Sequence, residues 1–469
     1  MMQSVFKSIR SRSAVFGVTL LTLVAALVAN FTTRGLPASY LAGTFLSESL
    51  GTWGMGLLLG VATCLVCMIR GSLWDGSFFR GEISSLFLML LSGMMVVVTS
   101  DDLITMFVGL ELASIGIYAI LGYMHPTRRS QEGAIKYFIL GAFAAAFLLF
   151  GFALIYGATG TMKIAEIIPQ LVAARSNTWI QIGGLFALVG LGFKFALAPF
   201  HLWAPDAYEG APTPITGFMA TAVKVMVIIF TLRIFASGSA SGVYQVWKGG
   251  MLFMAMLSMI FGNILALVQT SIKRMLAYSS IAHSGYMAVA LASIGGQTGS
   301  NLPVPAVLFY VLSYCIVSLG AFGVLMWLEH EQNDNTQLDD LAGLSKKHPW
   351  AALALTVFLF SFAGMPPTVG FISKFFVFSA AIEAKLYSLV LIGALGSAIS
   401  LFYYLRVIVR MYMNDEVQGS LLGGKRLSAS ITCFTVAALA LTILLGTVFP
   451  GHVLDLMEGS ARGLYTAHH

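Results

Sequence analysis

Long apolar runs alternate with short polar connections along the whole chain, at the spacing of helices that cross a bilayer. Thirteen such runs fall near 14–31, 52–69, 83–100, 103–123, 133–157, 179–201, 213–236, 250–270, 275–294, 304–328, 350–380, 387–412 and 430–449. The longest connections, 32–51, 158–178 and 329–349, leave no room for a soluble domain. The pattern therefore predicts an all-α polytopic membrane protein. Two runs carry helix breakers: Pro199 and Pro205 at the end of the sixth, and Gly364, Pro366, Pro367 and Gly370 inside the eleventh. Proline removes a donor and clashes with the preceding turn, so both helices are predicted to be broken. Irregular backbone at membrane depth persists only where protein or a hydrated cavity satisfies it.

Composition supports this and excludes alternatives. Of 469 residues, 58% are hydrophobic and only 10% charged, with mean hydropathy +0.87. The formal charge of +6 is scattered through short loops, which speaks for membrane topology and against nucleic-acid binding. Cys64, Cys67, Cys315 and Cys433 all lie in apolar runs; the Cys64/Cys67 pair has no second pair and no nearby His, so neither metal nor redox use is expected. Phe16 to Phe31 reads as the first membrane helix, because no cleavage site follows it.

Lys and Arg, counted by side, set the orientation. The first side holds Lys7, Arg10, Arg12, Arg70, Arg80, Arg128, Arg129, Lys273, Arg274, Lys346, Lys347, Lys425 and Arg426. The other holds only Arg34, Lys163, Arg175, Arg233, Lys248, Lys385 and Arg462. The N-terminus is expected in the cytoplasm and the C-terminus outside, which suits an odd number of crossings.

Four lysines resist this assignment: Lys136, Lys194, Lys224 and Lys374 all fall inside apolar runs, as do Glu111 and His283. A charge at bilayer depth costs roughly 2.5–3.5 kcal/mol on insertion scales, so it is rarely kept without a role. A buried ammonium gives up its proton more readily than one in water. Lys194 and Lys224 flank the first break; Lys374 follows Pro367 in the second, 180 residues after Lys194. Two broken helices in two halves point to an inverted-repeat transporter, although Lys precedes Pro in the first and follows it in the second. Glu111 would ionise if it faced a lysine, and otherwise remain a neutral acid bonded to backbone. Lys136 stands four residues after Glu132, which also fits an interfacial salt bridge. His283 is equally a proton relay or a structural hydrogen-bonding group. Asp206 and Glu209 read as loop and capping residues, Asp101 and Asp102 as solvated interface, and Arg406 and Arg410 as snorkelling. There is no phosphate-binding loop, dinucleotide fingerprint, cysteine framework for iron–sulfur clusters or His pair spaced for haem. Transport energy must come from an ion gradient or another subunit.

Four segments carry a resemblance: IKYFILGAF (Ile135 to Phe143), PFHLWAPDAYEGAPTPITGFMATAVK (Pro199 to Lys224), IFGNILALVQTSIKRMLAYSSIAHSGYM (Ile260 to Met287) and AGMPPTVGFISKFF (Ala363 to Phe376). Over about residues 83–412 the chain resembles subunit N of the proton-pumping NADH:quinone oxidoreductase, respiratory complex I. That subunit belongs to the antiporter-like membrane family shared with multi-subunit cation/proton antiporters and membrane-bound hydrogenases. Those relatives usually carry a His after the Pro-Asp/Glu-Ala step, where this chain has Asp206-Ala207-Tyr208-Glu209-Gly210. The resemblance implies two inverted five-helix repeats, each with one broken helix. The units would be residues 1–100 (N-terminal helices), 101–240 (first repeat), 250–412 (second repeat) and 413–469 (last helix and tail). It implies proton translocation through Glu111, Lys136, Lys194, Lys224 and Lys374, with His283 a further relay. It implies NADH, FMN, iron–sulfur clusters and quinone in partner subunits and no cofactor or metal in this chain. Other membrane-arm subunits, including a neighbouring antiporter-like subunit and the small-helix subunits, would be its partners in a bacterial inner membrane. Family members in bacteria typically have one helix more at the start than is counted here, through a lost helix or a misassigned start, and one crossing fewer agrees with the expected cytoplasmic N-terminus. A cation/proton antiporter subunit is the competing expectation, and a scaffold without a proton path the third.

Overall fold

The computed structural model describes residues 11–33, 39–40, 44–46, 48–70, 72–124, 126–173, 177–235, 242–295, 301–329, 337–415, 431–448 and 450–466. Lys7, Arg10, Arg34, Arg175, Lys425 and Arg426, used above for orientation, lie outside them. The described helices are α1 (Arg12–Thr32), α2 (Ser49–Ile69), α3 (Asp75–Phe78), α4 (Gly81–Thr99), α5 (Leu103–Tyr123), α6 (Arg128–Thr159), α7 (Ile164–Ala173), α8 (Thr178–Lys194), α9 (Trp203–Gly210), α10 (Thr213–Phe235), α11 (Gly242–Leu267), α12 (Ile272–Ser293), α13 (Pro303–Leu328), α14 (Leu344–Lys347), α15 (Pro349–Ala363), α16 (Val369–Glu383), α17 (Tyr387–Met413), α18 (Ile431–Val448) and α19 (Pro450–Thr466). A two-residue hairpin, Ser39–Tyr40 against Phe45–Leu46, is the one sheet among them.

Among the described residues nine helices are long and apolar enough to cross a membrane, fewer than the thirteen runs in the sequence. The four others each have a physical reason. Two runs are broken, into α8 with α9 and α15 with α16; α12 is polar; and only part of α18 has described side chains. α12 tolerates Ser279, Ser280, His283 and Ser284 because protein, not lipid, surrounds nearly all of it. Among the described residues two helices of ten residues or more were not expected, α7 in the 158–178 connection and α19 after the last span, beside the single turns α3 and α14.

Burial is distributed unevenly. All of α10 and nearly all of α13 lie inside the protein, whereas α1, α6 and α17 turn wide apolar faces outward. Close approach of helices depends on small residues. A Cβ on Gly93 would meet the Gly109 carbonyl at 2.7 Å, and one on Gly109 would meet the Gly93 carbonyl at 2.8 Å, so α4 and α5 touch backbone to backbone.

Both breaks account for their backbone groups, as a dry environment requires. α8 stops at Lys194, and Ala196 takes φ 54°. The freed Phe193 carbonyl accepts from the Trp203 indole at 2.9 Å, Phe195 from Ser284 at 2.7 Å, and the Ala198 N–H donates to Ser258 at 2.8 Å. Pro205, expected at the break, sits instead in the first turn of α9, where a missing N–H costs nothing. In the second break Gly364 caps α15 at φ 78°, Pro366 and Pro367 form the crossing, and Thr368 caps α16. A Cβ on Gly370 would fall 1.8 Å from the Ser361 carbonyl, so only glycine fits there.

Candidate functional site

The buried lysines gather around the two breaks, whose prolines Pro199, Pro366 and Pro367 are themselves exposed. Lys194 is the last residue of α8 and 3% exposed. Its ammonium donates to Ser114 at 2.6 Å and Tyr118 at 3.2 Å, both on α5. The rings of Tyr118, Tyr137 and Phe193 lie 5.5–5.7 Å away, a cation–π cage. Helix side chains lean toward the N-terminus, so Lys194 reaches back along α8 toward α5 and away from its break.

Lys224, mid-way along α10 and 2% exposed, donates to the Ser280 carbonyl at 3.0 Å and to the Ser284 hydroxyl. Ser284 in turn donates to Phe195, the residue after Lys194. One hydroxyl thus joins the ammonium of Lys224 to the backbone of the first break. Phe195 and Tyr314 place ring centroids 5.3 Å from the Lys224 nitrogen.

Lys374, on α16 and 4% exposed, leans back to the second break by the same rule that aims Lys194 away from the first. It donates to the carbonyls of Phe362 at 3.1 Å and Ala363 at 2.9 Å and to Ser397 at 2.9 Å. Those carbonyls end α15, where a helix dipole favours a cation. An open cavity of about 420 Å³, with Lys374, Ser397, Gly364 and Pro366 in its wall, reaches the ammonium.

His283 stands between the two halves. It sits on α12 directly before Ser284 and one turn after Ser279 and Ser280, with Nδ1 2.7 Å from the Tyr310 hydroxyl and Nε2 3.4 Å from that of Tyr404. Its ring lies 5.3 Å from that of Phe362, whose carbonyl holds Lys374. Three lysines, four serines, three tyrosines and one histidine thus form a polar row across an apolar interior, its groups bridged by the Phe195 carbonyl and the Phe362 ring.

Two expected site residues are placed differently. Glu111 makes no ion pair with Lys194; its buried Oε1 has no hydrogen-bond partner, and Ser114, one turn further along α5, holds the lysine instead. Lys136 is not in the row. Its side chain is 44% exposed on the outer face of α6, paired with Glu132 and Asp206 at 2.7 Å each. Asp206 and Glu209, read as loop residues, belong to this cluster: Asp206 also meets Arg274 at 2.8 Å, and Glu209 meets Arg274 at 3.0 Å.

Two buried ion pairs were missed. Lys273, counted above as a loop charge, is 1% exposed and lies 3.2 Å from Glu329, which also accepts from Thr213 and from the Trp74 indole at 2.8 Å. Arg233, counted on the outer side, is buried against Glu48 at 2.6 Å and the Val98 carbonyl at 2.9 Å. Glu329 at the end of an apolar run was the available signal for the first. Asp101, in the connection before α5, faces Arg233 and Glu48; burial holds its carboxyl above the usual range and the guanidinium partly offsets this. Among the described residues no three His, Cys, Asp or Glu side chains come together as a metal site.

A membrane bundle with two broken helices and a lysine held at each defines an antiporter-like membrane subunit. The family described as NADH:quinone oxidoreductase/Mrp antiporter, TM, matches residues 100–400. NADH-quinone oxidoreductase subunit N of Bdellovibrio bacteriovorus is 39% identical over 449 residues, 95% of this chain and 90% of that protein. A chain of respiratory complex I from Thermus thermophilus superposes with TM-score 0.81 at 34% identity, covering 96% of this chain and 95% of that one. A chain of an archaeal membrane-bound sulfane sulfur reductase superposes with TM-score 0.85 at 26% identity, covering 99% and 94%. The chain belongs to the NADH-quinone oxidoreductase subunit N family.

Proposed function

We propose that this chain is a membrane-arm subunit of an NADH:quinone oxidoreductase and translocates protons, driven by quinone reduction in other subunits. The observation that carries the proposal is the buried row Lys194–Lys224–His283–Lys374, in which Ser284 links Lys224 to the Phe195 carbonyl beside Lys194, the Phe362 ring stands between His283 and Lys374, and an open cavity lies at the Lys374 end. Residues 101–240 and 250–412 act as the two repeats, each moving one lysine against one break; 1–100 and 413–469 brace them. The chain sits in the bacterial inner membrane, N-terminus in the cytoplasm and C-terminus outside, against a neighbouring antiporter-like subunit and small-helix subunits. NADH, FMN, iron–sulfur clusters and quinone belong to its partners.

In this mechanism Glu111 acts on Lys194 through space. An ionised Glu111 holds the Lys194 proton; when a neighbouring charge neutralises it, the ammonium releases its proton toward Lys224. Each protonated lysine disfavours the next, because like charges in a poorly screening interior repel strongly. The cavity beside Lys374 provides the open end. Lys136, Asp206, Arg274 and Glu209 tie the second half of the first broken helix to α6 and α12 and set its position.

The test is NADH-driven proton uptake in inverted membrane vesicles, wild type against Lys194→Met, with assembly verified. Loss of both uptake and quinone turnover in the assembled variant supports the proposal. Unchanged uptake sinks it, and sodium-dependent transport without NADH would instead favour the cation/proton antiporter.

A further inference from the structure

Outside the polar row, a groove of about 610 Å³ opens between α15 and α18. Two helical stripes form its walls, Trp350, Leu353, Ala354 and Val357 on one side and Val436, Ala437 and Ala440 on the other, with Trp327 of α13 behind them. The stripes face each other across open space instead of interlocking, because three of the seven are alanines. An apolar gap without partner atoms forfeits its dispersion contacts, so in a bilayer it will be filled.

Size and charge identify what fills it. A spanning helix about 10 Å across and about 30 Å long is far larger than this groove can enclose. A flexible hydrocarbon chain fits. One end of the groove is aromatic and basic: Trp327 and Trp350 line it, the His348 ring lies 6.2 Å from the Trp327 ring, and Lys346 and Lys347 of α14 precede them directly. Lys346 already meets Asp415 at 2.9 Å, but both are highly exposed, and such a pair is weak in water. Tryptophan marks the membrane interface, and basic residues beside an interhelical gap bind lipid phosphate.

We propose that this groove holds one acyl chain of an anionic phospholipid, with its phosphate against His348, Lys346 and Lys347. The assignment rests on the membrane placement of the chain and not on proton translocation. Native mass spectrometry of the assembled, detergent-purified complex, equilibrated with phosphatidylglycerol or phosphatidylcholine, tests it. Wild type should retain one more phospholipid per complex than Ala437→Trp, which fills the groove. Replacing Lys346 and Lys347 by Gln should leave assembly intact and lower the preference for phosphatidylglycerol by about fivefold per charge. An equal lipid count in wild type and Ala437→Trp, or a neighbouring protein segment seated in the groove of the assembled complex, overturns the proposal. An unchanged lipid preference in the Gln variant overturns its anionic part. Wild type alone gives a reading independent of any variant: equal retention of the two lipids contradicts the headgroup assignment.

Discussion

The two broken helices hold a lysine in opposite ways. At the first, the lysine ends the half-helix before the break and is solvated by side chains of other elements, Ser114, Tyr118 and three aromatic rings. At the second, the lysine lies beyond the break and reaches back across it, to the backbone carbonyls that the break exposes. The reversed order of Lys and Pro in the two sequences follows from this. The Lys374 ammonium thus lies at the C-terminal end of a half-helix, the favourable end for a cation, whereas the Lys194 ammonium reaches back from one. The first arrangement depends on what α5 presents; the second is built into its own backbone. A neighbour acting on α5 can therefore change the Lys194 site, while the Lys374 site stays constant and opens to its cavity.

The sharpest way to break this comparison is to remove the charges. Lys194→Met and Lys374→Met should each lower NADH-driven proton uptake by on the order of 100-fold, the scale of a lost proton-transfer group; a retained rate in either would show that its break carries no protons. Next are the side-chain partners. Ser114→Ala removes one of two hydrogen bonds to the Lys194 ammonium, about 1.5–3 kcal/mol for a charged donor, and should slow uptake by tenfold or more. Ser397→Ala leaves Lys374 its two carbonyls and should cost severalfold less in the same assay. Equal effects would contradict the claim that the second site is held by backbone. Gly364→Ala should then destabilise the second break by about 1–2 kcal/mol, since φ 78° strains any Cβ and the Lys374 Cδ lies 2.8 Å from where it would stand. Detergent-solubilised thermal unfolding reads this, with Ala196→Gly in the first break moving the midpoint slightly upward. The smallest effect belongs to Lys136→Gln, whose exposed ion pairs are worth about 1 kcal/mol or less; a hundredfold loss of uptake there would return Lys136 to the path.

Depth was legible in the sequence and direction around the helix was not. Apolar runs located most helices to within a few residues, though α11 begins eight residues before its run, and the lysines inside them marked Lys194, Lys224 and Lys374. Lipid is as apolar as a protein core, however, so Ile135, Phe138 and Ile139 read the same whether they face lipid or protein. In the structure all three are exposed, and Lys136 shares their face of α6. The same blindness hid the setting of Glu111, whose buried Oε1 has no hydrogen-bond partner while Ser114 on the same helix holds Lys194. Charges at helix ends were the other loss. Lys273 and Glu329 stand at places where solvation is the ordinary outcome, and only the convergence of α3, α10, α12 and α13 buries them. His283 could not be decided from its neighbours in sequence, because Tyr310 and Tyr404 come from distant helices.

Lys224 tests the account most directly, because it stands between the two breaks: it bonds Ser284, which holds Phe195 of the first, and lies 5.3 Å from the Tyr314 ring, itself 5.9 Å from the Phe362 ring of the second. Protons taken up per NADH oxidised should be measured in inverted vesicles carrying the assembled Lys224→Met complex. The account predicts that this ratio falls together with quinone turnover, since the row is interrupted at its middle. A normal ratio at normal turnover would mean that the buried lysines do not form one path.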